Sequence, residues 1–136
     1  MIYSGGCHCG AIQFEVEVTD DISLVECNCS ICSKIAYLHL IVPKEMFNLL
    51  SGEDSYTTYT FDTHEAKNLF CKICGIKSFY IPRSHPNGVS INARCLNDFN
   101  IEFFEVEKFD GQNWEQSIEK LKKFDLWPKL LMFYDY

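Results

Sequence analysis

Residues 12–18, IQFEVEV, alternate apolar and polar side chains, so Ile12, Phe14, Val16 and Val18 share one face of a half-buried strand. DISLVEC (21–27) predicts a second strand that runs into a cysteine cluster, and AYLHLIV (36–42) a third, stopped by Pro43. PKEMFNLLSG (43–52) predicts one short helical turn ended by Gly52. SYTTYTFD (55–62), rich in Thr and Tyr, predicts a strand. KNLFC (67–71), IKSFYIP (76–82) and GVSINARCL (88–96) predict short strands, separated by KICG and PRSHPNG, both with turn chemistry. NIEFFEVEKFD (100–110) predicts another. The period changes only near the end: Trp114, Ile118, Leu121 and Phe124 fall three or four apart and predict a helix over 114–127. The pattern describes a mainly β domain, antiparallel, with a short helical C-terminal segment and an aromatic tail, LLMFYDY.

Composition adds limits. A chain of 136 residues suits one domain and is long enough to bury a core without disulfides. The 15% aromatic content fits a β-rich core. The formal charge of −7 argues against binding along a nucleic-acid backbone, and KLKK at 120–123 reads as the solvated face of the helix. No secretory pattern follows Met1, and the apolar run YLHLIV is far short of the roughly 20 residues that span a membrane. The expected setting is cytoplasmic, with the nucleus also open.

In a reducing compartment, eight cysteines read as metal ligands rather than staples. CHCG (7–10) and CKICG (71–75) each place two thiols on a tight turn beside a glycine. Each pair supplies two ligands, so Cys7, Cys9, Cys71 and Cys74 form a candidate Cys₄ set. CNCSIC (27–32) differs, because Cys27, Cys29 and Cys32 can hold one ion from a single loop and leave a fourth position open. A closed four-ligand zinc is usually structural; three protein ligands with a vacancy is the catalytic arrangement. The bland alternative is that Cys95 or a histidine closes this second site. A further rival is a redox switch in which the same three cysteines form disulfides.

These clusters, GGCHCG, CNCSIC, FCKICG and PRSHPNGV…NARCL, in that order, resemble the glutathione-dependent formaldehyde-activating enzyme family, which also includes centromere protein V. The resemblance covers residues 5 to about 98, within a family-like core of about 3–108 followed by a helix and tail at 109–136. It implies a β-tent fold and two zinc ions per chain. Cys7, Cys9, Cys71 and Cys74 would hold the structural ion, and Cys27, Cys29 and Cys32 the catalytic one. It further implies a carbon–sulfur lyase that reversibly joins glutathione to formaldehyde as S-(hydroxymethyl)glutathione. The alternative within the same family is a non-catalytic zinc module that binds a protein partner, and the apolar stretch LWPKLLMFYDY offers a surface for a homodimer.

Glutathione carries two carboxylates, which makes Arg83 and Arg94 the candidate substrate-binding cations; structural ion pairs are the competing reading for both. Of the histidines, His8 is expected to point away from the metal between its flanking ligands and His39 to be a hydrogen-bonded core residue. His64 reads as a turn or cap position. His85 is a candidate proton shuttle, although its place before Pro86 reads more simply as an exposed loop.

Overall fold

The computed structural model describes residues 1–123. Strands β1 (Ile2–Gly6), β2 (Gln13–Glu17) and β3 (Leu24–Cys27) lead to a one-turn helix, α1 (Cys32–Ile35). Then follow β4 (Leu38–Pro43), β5 (Phe47–Ser51), β6 (Tyr56–Tyr59), β7 (Asn68–Cys71), β8 (Phe79–Tyr80), β9 (Gly88–Asn92), β10 (Val106–Phe109) and helix α2 (Trp114–Lys123). The strands form three sheets, in the orders β1-β2-β5, β10-β3-β4-β9-β8 and β6-β7. The protein is mainly β with a short C-terminal helix, as the alternation of its side chains implies.

Strand β4 is buried at every position, because both faces of the five-stranded sheet are covered. On one face Leu24, Leu38, Leu40, Val42, Val89 and Ile91 join Ile12, Phe14 and Val16 of β2 in the main core. Phe14, Phe47 and Phe79 meet there with ring centroids 5.0–5.9 Å apart. On the other face Val25, Ile41 and Phe109 pack with Ile118 of α2 in a smaller cluster. That second face carries the candidate active site.

Several segments depart from the simple pattern. Strand β1, within IYSGG, has no clear alternation and gains its order from antiparallel pairing with β2. The expected strand over 36–42 begins only at Leu38, because Ala36 caps α1 in the left-handed region (φ 51°). The helical turn expected over 43–52 is confined to Lys44–Met46, and Gly52 ends strand β5 instead. Within 76–82 only Phe79 and Tyr80 pair with β9; Ile81 turns to bridge Lys67, so two sheets share the segment. Within 100–110 the Asn100 side chain accepts the Glu102 N–H at 3.1 Å and sets a 3₁₀ turn, leaving only Val106–Phe109 as strand. That strand pairs parallel with β3, Val106 opposite Leu24 and Phe109 opposite Cys27, against the antiparallel expectation. The helix expected over 114–127 is present to Lys123. Its extension beyond that residue, the packing expected of Leu121 and Phe124, the solvated face of KLKK and the tail 130–136 lie outside the described residues.

Candidate metal centres and active site

The first cluster joins two turns. Cys7 and Cys9 follow β1, and Cys71 and Cys74 flank the turn that follows β7. Gly75 (φ 79°) lets the chain reverse after Cys74, and its N–H bonds back to the Cys71 carbonyl at 2.8 Å. Backbone N–H groups point at the sulfurs: Ile12 at Cys7 Sγ (3.3 Å), Ile73 and Cys74 at Cys71 Sγ (3.4 and 3.5 Å). Such donors favour thiolates. All four sulfurs lie within 4.8 Å of one another. The Cys7–Cys9 and Cys9–Cys71 separations are 3.6 and 3.7 Å. A tetrahedron of sulfurs about 2.3 Å from a zinc has edges of about 3.8 Å, so the donor set fits this ion.

The second cluster comes from one loop. Cys27 ends β3, Cys32 opens α1, and Cys29 lies between them; their sulfurs also fall within 4.8 Å of one another. The Cys29 N–H points at Cys27 Sγ (3.5 Å) and the Cys32 N–H at Cys29 Sγ (3.4 Å). Hydrogen bonds from Cys27 and Cys32 hold the Cys29 thiol far below its ordinary range. Hydrogen bonding to Cys29 pushes Cys27 up to about 11, and its bonds with Cys27 and Cys29, together with burial, push Cys32 up. Three thiols within 4.8 Å of one another crowd negative charge as they ionise, and such a site favours a positive charge among them. A divalent ion fits that need. Among the described residues no further His, Cys, Asp or Glu atom joins the set.

His39 touches this cluster without joining it. It is buried, with Nε2 3.3 Å from Cys32 Sγ and Nδ1 3.0 Å from Ser90 Oγ and 3.3 Å from Tyr80 Oη. With the proton on Nε2 the imidazole donates to sulfur, and its one Nδ1 lone pair accepts from a hydroxyl, Ser90 Oγ being the nearer. Burial holds it neutral, down to about 3. The core histidine expected from the sequence is therefore also a support for a candidate ligand.

A cavity of about 380 Å³ opens beside the three sulfurs. Val25, Ile41, Phe61, Pro82, Phe109 and Trp114 give it apolar walls, and Asn68, Tyr80 and Ser84 supply polar atoms. Arg83 also lines it, stacked 3.6 Å from the Trp114 ring centroid and ion-paired with Glu115 (2.5 Å) and Glu65 (3.6 Å). A second groove, about 550 Å³, reaches Cys27 and Cys32 from another side and is lined by Arg94 and Lys108. Arg94 is exposed, donates Nε–H to the Ala36 carbonyl at 3.3 Å, and has no acidic partner among the described residues.

Cys95 stays apart from the three-sulfur set, and burial pushes its thiol up to about 11. His8 is exposed, and His64 is an exposed turn residue (φ 60°) held to Thr60 Oγ1 at 2.8 Å. His85 corrects the sequence reading: it is buried, with Nδ1 2.8 Å from Ser84 Oγ, rather than exposed in a loop.

The sequence reading missed the clamp on the second cluster. Asn28 donates to Asp110 Oδ1 (3.0 Å) and accepts the Gln112 N–H (3.0 Å), while its own N–H reaches the Phe109 carbonyl (3.3 Å). Gly111 packs so closely that a Cβ there would collide with Cys27 Sγ and the Cys29 Cβ. The Asp-Gly pair at 110–111 was the available signal; its partner lies 82 residues earlier in the chain.

A family model described as glutathione-dependent formaldehyde-activating enzyme matches residues 2–112. The chain belongs to that family. The match spans both cysteine clusters and extends into the clamp at Asp110–Gln112. The chain is also similar to the crystal structure of a Rhodobacter sphaeroides protein, with a TM-score of 0.68 and 29% identity over 76% of this chain and 99% of that one. Among the described residues no helix is long and apolar enough to cross a membrane.

Proposed function

We propose that this family member is a zinc-dependent carbon–sulfur lyase of the S-(hydroxymethyl)glutathione synthase type, acting beside Cys27, Cys29 and Cys32, with a second zinc held structurally by Cys7, Cys9, Cys71 and Cys74. The observation that carries the reading is a three-sulfur set, uncompleted by any other ligand type among the described residues, at the wall of a cavity of about 380 Å³. Zinc held there would supply a Lewis acid that keeps a thiol ionised at neutral pH.

The reaction forms one bond between the thiol sulfur and the carbonyl carbon, and the thiol proton ends on the carbonyl oxygen. His39 fixes the orientation of Cys32 through the Nε2–Sγ contact. Phe61, Pro82 and Trp114 limit water at the cavity. Arg94 and Lys108, in the groove that also reaches Cys27 and Cys32, are the cations proposed for the glutathione carboxylates. Arg83 already has Glu65 and Glu115 beside it, which offset its charge, so its proposed part is chiefly to hold the wall.

Zinc analysis with a calorimetric titration by glutathione, followed by NMR detection of the hydroxymethyl adduct, tests the proposal. Two metals per chain, saturable thiol binding and accelerated adduct exchange are expected. Two metals with no thiol binding would overturn it in favour of a zinc-bound interaction module.

A further inference from the structure

Linked to the three-sulfur cluster through Tyr80 and His39 is a buried cation with no acid beside it. Lys77 is 7% exposed. Its ammonium donates to Asn68 Oδ1 at 2.7 Å and lies over the rings of Tyr80 and Tyr37, 3.8 and 5.0 Å from their centroids. No carboxylate is within ion-pair distance of it among the described residues. An ammonium taken out of water with so few partners costs stability, and a structural role alone would be met more cheaply by an apolar side chain. Tyr80 links it to the cluster: the ring faces Lys77, and the hydroxyl meets His39, whose other nitrogen meets Cys32 Sγ.

We infer that Lys77 is the fixed counter-charge of the Cys27–Cys29–Cys32 centre, favouring its metal-loaded form and a thiolate substrate over a neutral one. Three thiolates outweigh a divalent ion by one negative charge, and a substrate thiolate alongside adds another. Burial pushes Lys77 down to about 8, which leaves it mostly protonated at neutral pH; Cys32, Cys29 and Cys27 act in the opposite direction and hold the proton on. Arg94 and Lys108 approach Cys27 and Cys32 from the second groove but are exposed, so water screens their charge, whereas Lys77 is the one buried lysine or arginine among the described residues. Burial keeps the Tyr37 and Tyr80 phenols neutral, Arg83 is paired with two glutamates, and Asp62 on the cavity wall is an acid. The metal half of this inference rests on the donor set alone; the substrate half rests on the proposed function.

Two measurements on the zinc-loaded protein test it: chelator competition, and calorimetric titration with glutathione and with S-methylglutathione, which has no thiol proton to lose. In Lys77→Met the second zinc is expected to leave at roughly tenfold lower chelator, with the first unchanged. Glutathione should bind roughly tenfold more weakly and S-methylglutathione as before. Lys77→Arg should restore both. Asn68→Asp should reproduce the Met pattern, because it keeps the ammonium in place yet cancels its charge; a packing role would predict the reverse. Unchanged chelator resistance in Lys77→Met and Asn68→Asp overturns the inference. If Lys77→Met does not fold, Asn68→Asp decides. If the unmodified protein binds no thiol, the proposed function falls, and the chelator arm still judges Lys77.

Discussion

Cys9 and Cys71 stand 62 residues apart and nearly touch through sulfur, whereas Cys27, Cys29 and Cys32 share one loop. The first cluster fastens the turn after β1 to the turn after β7, so its ion would act as a cross-link between distant parts of the fold. The second needs no long-range closure to bring its sulfurs together. It takes rigidity from outside, through Asn28, Asp110 and Gly111. Proximity in sequence and rigidity in space are separate properties. A ligand set made locally can still depend on a remote segment for its shape.

The largest break in that comparison is expected from Cys71→Ser. A structural zinc contributes roughly 10–16 kcal/mol of apparent binding in small peptides, against a typical domain stability of about 5–15 kcal/mol. The variant should therefore unfold or aggregate, as read by a thermal melt with zinc analysis. Cys29→Ser should stay folded, hold one zinc fewer and lose adduct formation. If the two variants lose all metal and unfold alike, the division into cross-link and working centre is wrong.

Gly111→Ala sharpens the contrast, since its new methyl strikes Cys27 and Cys29 but nothing in the first cluster. Second-site zinc should become chelator-labile while the melt shifts by only a few degrees, roughly the effect of about 1 kcal/mol. Arg94→Gln and Lys108→Gln should each raise the glutathione KM several-fold, a loss of about 1 kcal/mol apiece, without changing zinc content.

The last effect is in pH. The folded value of Lys77, about 8, lies below its ordinary 10.5, so between these values the unfolded chain keeps a proton that the folded protein has released. Stability from this group rises as pH climbs through that window. A parent-minus-variant comparison of melts should show the rise in the parent and its absence in Lys77→Met.

Local pattern was enough to reveal β2, β4 and β7: alternation in β2, and short apolar runs in β4 and β7, which are buried almost throughout. Both cysteine sets were legible as well, since a thiol pair beside glycine and three thiols within six residues are both local patterns. What stayed hidden is what depends on partners. The parallel pairing of β10 with β3 leaves no local trace, and Asn100 redirected a run that looked like strand. Lys77 sits within an apolar stretch, IKSFYIP, where its charge was the anomaly worth following. His85 looked like loop because Pro86 follows it, and only three-dimensional packing shows it buried.

The parallel pairing of β10 with β3 has a consequence for the order in which the molecule is assembled. A nascent chain that has emerged as far as Cys74 already owns every sulfur of the tetrahedral cross-link. The CNCSIC loop is synthesised earlier still, yet its cage waits for Phe109 to Gln112, more than 30 residues after Cys74. In a growing polypeptide those three thiols are the first complete set made and the last to be enclosed.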